Sequence, residues 1–286
     1  MKKTDKIIVT TYRIKGKNVP AMKIALASDL HDRSPEEALR LLRLENPDLI
    51  LAAGDLMERH EPGYTDWTSA EMDAWQGLSR RGRVFSKTVK FFDSFLPLGQ
   101  KNAWDMRNGR AFLREASRIA PVYMGMGNHE WYFTDEDKKL MEECRVTLLD
   151  NSDTSFVFPN GQRIYIGGLS TRYDLGWLSG FAKKPGYKIL ICHHPEYYER
   201  FIRGNERDRF SLIVSGHAHG GQWRIGGRSI LAPGQGLFPK YAYGIHDGKL
   251  VISAGLSNTA NIPRFGNPRE LVMIYVENEI SFPAGE

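Results

Sequence analysis

The sequence contains few cysteines and no long hydrophobic run, and these absences narrow the class of protein. Among its 286 residues are two cysteines, Cys144 and Cys192, too few for a disulfide framework or a thiolate metal cluster. A reducing compartment is the simplest setting for such a chain. No stretch of about 18 consecutive apolar residues occurs, so we expect no membrane-spanning helix.

Other familiar signatures are also missing. The first residues, MKKTDKIIVTTYRIKGK, start with basic side chains but contain no apolar core of signal-peptide length, so we expect a cytoplasmic protein. There is no GxSxG motif, no Walker-type glycine–lysine loop and no CxxC pair. Cys192 lies within the apolar run ILIC, where we expect a small buried side chain and not a thiol nucleophile.

The net charge of +5 is concentrated in one part of the chain. Between Gly77 and Arg118 there are ten basic and three acidic residues, a local charge of +7 that leaves the remainder slightly acidic. A local basic surface favours an anionic partner but does not say which one.

Five short apolar segments are predicted to be buried strands, and Asp, Asn or His stands close to the end of each. They cover residues 22–28, 48–55, 121–130, 187–195 and 211–219. Helices are expected near 34–46 and 134–143, and short strands near 155–158 and 162–167. From Ile230 onward, short strands separated by glycines suggest a second, mainly antiparallel sheet. We predict a single α/β sandwich domain over residues 1–286, interrupted by one long insertion.

The polar residues at the strand ends form a candidate metal site, because loops at the ends of strands converge in α/β sheets. They are Asp29, His31, Asp55, Asn128, His129, His193, His194, His217 and His219. A lone histidine after a buried strand is more often a hydrogen-bonding residue than a ligand. Here, however, six of the eight histidines lie within these five segments or within three residues of their ends.

The spacing and the donor types favour transition metals. Asp29/His31 and His217/His219 are two residues apart, so at the end of an extended segment each pair should project to one side and grip one ion. Imidazole nitrogens with carboxylate oxygens suit Zn, Fe, Mn or Co. Two ions sharing one carboxylate would account for the number of ligands, and Asp55 is the obvious bridge.

The series ASDLH, AAGD, MGNHE, ICHHP and SGHAHGGQ resembles the calcineurin-like metallophosphoesterase superfamily. The GGQ ending and the distant AGLSNTANIPRFGNPRE resemble a bacterial phosphodiesterase branch whose final motif usually reads GHTHGGQ. The resemblance covers roughly residues 22–55 and 120–276. It implies a four-layer αββα sandwich that carries a dinuclear metal centre.

The resemblance also implies a role for each residue. One ion would be held by Asp29, His31 and His219, the other by Asn128, His193 and His217, with Asp55 bridging. His129 matches the catalytic histidine of the family, which is not a ligand. The chain departs from the family pattern at Asp32 and Ala218, which replace an apolar residue and a threonine, and in the 73 positions from Asp55 to Asn128, about twice the usual length.

The implied activity is metal-dependent phosphoester hydrolysis, with a phosphodiester as the expected substrate. Two divalent transition-metal ions (Mn, Fe, Zn or Co) would activate a bridging hydroxide for in-line attack on phosphorus, while His129 assists the leaving group. A different class also stays open, a non-catalytic metal-binding scaffold or interaction module whose basic insertion is the interface. The substrate could be a small molecule, a nucleotide or a lipid-linked phosphoester.

The insertion, residues 57–120, is predicted to be a helical cap. Phe85, Val89, Phe92 and Leu96 repeat at helical spacing within residues 84–96. A structural cap, a substrate lid and a peripheral membrane contact through 84–96 are all compatible with this pattern. The basic residues would also suit nucleic acid, but no recognised nucleic-acid-binding signature accompanies them.

Overall fold

The fold is a sandwich of two facing sheets with helices outside them. The computed structural model describes residues 6–59, 106–130, 132–232, 235–258 and 264–279. In these residues two six-stranded sheets pack face to face, and helices cover their outer surfaces. The prediction of a four-layer αββα sandwich is confirmed.

The described residues form sixteen strands and four α-helices. The strands are β1 (Ile7–Lys17), β2 (Met22–Ala27), β3 (Leu49–Ala53), β4 (Val122–Gly125), β5 (Thr147–Leu149), β6 (Ser152–Val157), β7 (Arg163–Leu169), β8 (Tyr187–Cys192), β9 (Leu212–Ser215), β10 (Arg224–Ile225), β11 (Arg228–Ser229), β12 (Leu231–Ala232), β13 (Gly236–Leu237), β14 (Gly244–His246), β15 (Leu250–Ile252) and β16 (Arg269–Glu279). The helices are α1 (Glu36–Glu45), α2 (Arg107–Ala116), α3 (Asp135–Glu143) and α4 (Leu175–Lys183).

Both sheets are mainly parallel. The first has the order β1-β16-β2-β3-β4-β5, in which β2, β3, β4 and β5 run parallel and β16 is antiparallel to β2. The second has the order β14-β15-β9-β8-β7-β6, with β7, β8, β9 and β15 parallel and the two edge strands antiparallel.

The prediction of a second, mainly antiparallel sheet after Ile230 is wrong. Strand β15 is buried and joins the second sheet parallel to β9, while β16 returns to the first sheet between β1 and β2. The glycine-rich residues before β14 form two small hairpins, β10–β11 and β12–β13. Strands buried on both faces are continuous apolar runs in the sequence, so the sequence pattern does not reveal their direction.

Successive residues of one strand pack in different layers of the core. In β2, Ile24 and Leu26 pack between the sheets, while Ala25 and Ala27 face the outer helices. This alternation follows from the two-residue period of a strand. Leu42 of α1 packs in the same outer layer as the two alanines. The sandwich therefore holds the carboxyl ends of β2, β3, β4, β8 and β9 in fixed relation to one another.

Most of the predicted 57–120 insertion, including the 84–96 stripe, lies outside the described residues. Its last part is helix α2, whose Phe112 and Leu113 are fully buried in the outer core beside α1. This helix is therefore part of the outer layer of the sandwich. Within the described residues, no helix combines the length and apolarity needed to cross a membrane.

A buried ion pair joins the start of the insertion to α3. Both Arg59 and Asp137 are almost completely buried, and the Arg59 guanidinium donates two hydrogen bonds, of 3.0 and 2.9 Å, to the Asp137 carboxylate. The same carboxylate accepts from Arg110 and from the backbone N–H of Thr134. Its loss would leave a buried guanidinium without its main counter-charge.

We expect Asp137→Ala to lower the free energy of unfolding by about 3 to 5 kcal/mol, because breaking a buried pair leaves an uncompensated charge. Urea denaturation measures this change. Asp135→Ala is the matched control, since Asp135 lies in the first turn of the same helix but is fully exposed. Equal effects of the two substitutions would contradict the role given to the buried pair.

Candidate metal centre

The eight predicted site residues follow the carboxyl ends of five strands and meet at one edge of the sandwich. Asp29 and His31 follow β2, Asp55 follows β3, and Asn128 and His129 follow β4 in the first sheet. His193 follows β8, and His217 and His219 follow β9 in the facing sheet. Because these strands run parallel within each sheet, their ends supply side chains to one place.

The backbone at five of these residues is left-handed. Asp29, His31, Asp55, His217 and His219 have φ between 46° and 64°. The expectation of extended segments is therefore wrong at these pairs. Non-glycine residues in this region cost roughly 1 to 2 kcal/mol each, and such costs cluster at functional sites. The turns are held by backbone hydrogen bonds, including one from His31 N–H to the Asp55 carbonyl of 2.9 Å.

One group of donors comprises Asp29, His31 and His219, whose ligand atoms lie within 4.8 Å of one another. His219 Nε2 is 3.6 Å from Asp29 Oδ1, and His31 Nε2 is 4.0 Å from the same oxygen. The Asp29 carboxylate is fully buried. These distances leave space for an ion among the three donors.

A second group comprises Asp55, His193 and His217. His193 Nδ1 is 2.6 Å from the Ala53 carbonyl, so this nitrogen carries the proton in the neutral ring. The lone pair of Nε2 then faces Asp55 Oδ2 at 3.1 Å and Asn128 Oδ1 at 3.0 Å. A lone pair directed at two oxygens needs a cation or a proton between them. His217 and His219 thus lie in different groups.

Asp55 lies between the two groups. Its Oδ2 atom is 3.1 Å from His193 Nε2 and 3.7 Å from His31 Nε2. Its Oδ1 atom accepts a hydrogen bond of 2.9 Å from the backbone N–H of His129. One oxygen is therefore fixed by the backbone, while the other faces donors from both sheets.

Three ligand atoms in the two groups are buried and have no hydrogen-bond partner in the described part of the chain. They are Asp29 Oδ2, His31 Nε2 and His217 Nε2. Buried polar atoms are rarely left unsatisfied in folded proteins, so these three point to an absent group. Nitrogen and carboxylate donors together suit a divalent transition metal, and the residues present fit such ions.

The electrostatics of the two groups are also suited to cations. Burial raises the pKa of Asp29 above its ordinary value. Burial would raise that of Asp55 as well, but the His193 and His129 imidazoles hold its pKa well below the usual range. Burial lowers the pKa values of His217 and His219, which keeps both rings neutral and their lone pairs available.

This arrangement agrees with comparisons to known proteins. The family model of the calcineurin-like phosphoesterases matches residues 22–221, which is more than half of the chain and includes all eight site residues. The chain belongs to the calcineurin-like phosphoesterase family. Members of this family use divalent metals, and the donor groups described above are suited to binding them.

Relatives in this family are distant. YpbG, an uncharacterised protein of Bacillus subtilis, is 26% identical over 219 residues, which cover 75% of this chain and 66% of YpbG. The putative metallophosphoesterase F40B5.2 of Caenorhabditis elegans is 29% identical over 115 residues, 35% of this chain and 24% of that protein. The matches thus span less than two thirds of the relatives' own lengths.

Among solved structures, the chain matches the sulfate thiohydrolase SoxB of Termus thermophilus, in complex with glycerol. It is 12% identical and has a TM-score of 0.40, and the match covers 89% of this chain and 56% of SoxB.

Glu58 is a site residue that the sequence analysis missed. One carboxylate oxygen is 2.6 Å from His31 Nδ1, and the other is 2.9 Å from His129 Nδ1. Although burial opposes ionisation, these two imidazoles hold the pKa of Glu58 well below its ordinary value. The ionised carboxylate accepts from both Nδ1 atoms, so both Nε2 atoms point into the site. Its position three residues after Asp55 was the available sequence signal.

Glu130 is a second residue that the sequence analysis missed. Its buried carboxylate accepts backbone hydrogen bonds from Asp55, Leu56 and Met57, of 2.8 to 3.1 Å, and from Gly127 at 2.9 Å. It therefore ties the turn after β3 to the turn after β4. The E of GNHE, which follows the predicted catalytic histidine, was the sequence signal.

His194 lies beside the second donor group, with its ring centre 4.3 Å from that of His217, but its two ring nitrogens face other partners. Its Nε2 atom is 3.0 Å from Thr171 Oγ1, and its Nδ1 atom is 3.2 Å from Glu196 Oε1. Both ring nitrogens therefore have partners, in contrast to His31 and His217. This supports His193 over His194 as the ligand from the HHP stretch.

We expect Glu58→Gln to weaken metal binding by roughly 10- to 100-fold, because residues that orient metal-bound imidazoles commonly have effects of this size. Mn²⁺ titration by calorimetry measures the change. Glu37→Gln is the control, since Glu37 is a glutamate on α1 whose hydrogen bonds go to Arg40, outside the site. Unchanged Mn²⁺ affinity in Glu58→Gln would contradict the positioning role.

Gly127 should be irreplaceable for a steric reason. A Cβ atom on Gly127 would lie 2.0 Å from Asp55 Oδ1 and 2.6 Å from Asp55 N. We expect Gly127→Ala to displace Asp55 and to lower the bound-metal content measured by elemental analysis. Gly180→Ala is the control, because a Cβ atom there meets nothing within 4 Å. Full metal content in Gly127→Ala would refute this steric argument.

Proposed function

We propose that the protein is a phosphodiesterase with a dinuclear metal centre. The observation that carries this proposal is the position of Asp55 Oδ2, which faces His31 from one donor group and His193 from the other. One carboxylate oxygen within reach of both groups is the arrangement that a bridging ligand requires. The family membership supplies the phosphoester chemistry.

The proposed ligands are divided between two ions. Asp29, His31 and His219 hold one, while Asn128, His193 and His217 hold the other, and Asp55 is shared. Supporting this division, the ligand atoms of Asp29, His31 and His219 form one close group and those of Asp55, His193 and His217 another. When bound, two such ions lower the pKa of a bridging water and offset the charge on the phosphate oxygens.

His129 is the proposed acid for the leaving group. Its backbone N–H is fixed by Asp55, its Nδ1 atom lies 2.9 Å from Glu58, and its Nε2 atom is 3.9 Å from Asp55 Oδ2. About a fifth of its side chain is exposed, whereas His31 and His193 are almost fully buried. Its Nε2 atom can therefore reach a substrate oxygen and donate a proton to it.

A cavity of about 150 Å³ lies between the turn after β4 and the facing sheet, and we propose that it receives an esterified group of the substrate. It is lined in part by Gly127 and Glu130, which flank Asn128 and His129, and by Ser170 and Thr171 from the facing sheet. We further propose that the enzyme works in the cytoplasm, which its two free cysteines support.

The test is hydrolysis of bis(p-nitrophenyl) phosphate in the presence of Mn²⁺. We expect metal-dependent turnover with a higher kcat/KM than for p-nitrophenyl phosphate, the corresponding monoester. Asp55→Asn should lose both bound metal and activity. His129→Ala should keep its metal but lose roughly 10²- to 10⁴-fold in kcat, the usual contribution of a general acid.

His246→Ala is the matched control, because His246 lies on the edge strand β14 and contacts the Tyr243 carbonyl. It should retain full activity and metal content. A metal-loaded parent protein that hydrolyses no phosphoester would instead favour the metal-binding scaffold. A preference for the monoester would keep the phosphoesterase and reject the phosphodiesterase.

A further inference from the structure

The small ribbon that follows the last metal-site motif has its polar side inward and its apolar side outward. In β10, Arg224 points inward: its guanidinium lies 3.4 Å from the centre of the Tyr243 ring and its Nε donates to the Gly220 carbonyl. Ser229, its partner in β11, is also buried. Residues on either side of Arg224 face the opposite way, and these are Trp223 and Ile225, which are 43% and 60% exposed.

The apolar surface continues across neighbouring backbone segments. Phe265 forms a β-bridge with Trp223 and is 66% exposed. On the other side, Ile230 N–H donates to the Trp223 carbonyl, and Phe238 N–H donates to the Ile230 carbonyl. We call the exposed members of this surface the apolar rim: Trp223, Ile225, Leu237, Phe238 and Phe265, exposed by between 38% and 70%.

Phe238 is exposed although its backbone conformation is unfavourable for an aromatic residue. It is 70% exposed and has φ of 53°, a backbone region that favours glycine or asparagine over an aromatic residue. Neither burial nor backbone conformation explains a phenylalanine at this turn. A contiguous exposed apolar surface usually marks an interaction site.

The chain segments that form the rim carry charged side chains of one sign. Residues 222–245 and 264–269 contain Arg224, Arg228, Lys240, Arg264 and Arg269 but no aspartate or glutamate. Arg228 is exposed and pairs with Ile225 across the ribbon, so a cation stands within the apolar side itself. Lys240 is also exposed, with Glu199 as its ion partner.

Hydrogen bonds connect the segments of the rim to the candidate metal centre. Asn267 Nδ2 donates to the His219 carbonyl at 2.7 Å, and Phe265 N–H donates to the Gln222 carbonyl at 3.3 Å. Arg264, which precedes Phe265, has its Nη2 atom 3.3 Å from His219 Nδ1. Whatever binds the rim is therefore brought close to His219.

We propose that the apolar rim docks the protein on an anionic lipid bilayer, with the candidate metal centre turned towards the headgroups. Tryptophan, phenylalanine and aliphatic side chains accompanied by arginine are the composition of surfaces that insert into the bilayer interface. The lack of aspartate and glutamate in residues 222–245 and 264–269 suits a negative surface. A second copy of the chain fits less well, because a two-fold contact would bring Arg228 and its symmetry mate together.

Co-sedimentation with vesicles tests the docking. We expect binding to equimolar phosphatidylglycerol and phosphatidylcholine vesicles and weaker binding to phosphatidylcholine alone. The double variant Phe238→Asn, Phe265→Ser should bind at least about tenfold more weakly, because each phenylalanine loses its apolar burial in the interface. Arg228→Gln should reduce binding roughly fivefold on the anionic vesicles only, because one basic side chain is worth about 1 kcal/mol there.

Two observations separate docking from general damage. Phe238→Asn alone should raise the thermal midpoint while weakening vesicle binding, because asparagine tolerates the left-handed backbone. Leu44→Ser is the control, since Leu44 is 68% exposed on α1 outside the rim, and it should bind vesicles like the parent.

Three results would overturn the proposal. They are the absence of binding to anionic vesicles, an equal loss in Leu44→Ser, and a dimer in solution that dissociates in the rim double variant. Sedimentation requires no turnover, so failure of vesicle binding would leave the proposed hydrolysis standing. Loss of hydrolysis in Asp55→Asn would likewise not affect the docking result.

Discussion

The Asp55 carboxylate is the constraint on which the rest of the site depends. Its Oδ1 atom is held by the His129 backbone N–H, and Glu130 holds the backbone on both sides of it. Only glycine fits at position 127, where a side chain would collide with that carboxylate. Because Oδ1 is fixed, Oδ2 faces His31 from one sheet and His193 from the other. The two donor groups are thus a consequence of how one side chain is clamped.

The sandwich stabilises a set of site residues whose conformations and burial are unfavourable by themselves. Five site residues have left-handed backbones, two carboxylates are buried together, and three ligand atoms lack hydrogen bonds among the described residues. Such costs persist only where the surroundings leave no alternative. Here the surroundings are strands whose residues pack on both faces, so that the turns at their ends cannot relax separately.

The distribution of polar and apolar side chains is also unusual at the surface beside the candidate metal centre. The β10–β11 ribbon buries Ser229, half-buries Arg224 and exposes Trp223 and Ile225, the reverse of the usual distribution. The side chains of Arg224 and Ser229 donate hydrogen bonds to the carbonyl of Gly220, the residue that follows His219. The polar side of the ribbon therefore supports the turn that carries His219, and its apolar side is the surface that we propose binds a partner.

The sequence by itself determined the five strands that carry the site, the fold class and the candidate donors, because apolar runs with Asp, Asn or His near their ends are local patterns. It did not predict β1. It could not determine strand direction after Ile230, since β15 and β16 join different sheets through contacts distant in sequence. It also missed Glu58, whose role arises only when the turns after β2 and β4 place two Nδ1 atoms beside it. Only the tertiary structure decided which donor atoms lie close together and which Asp55 oxygen faces both His31 and His193, because those distances depend on how the two sheets face each other.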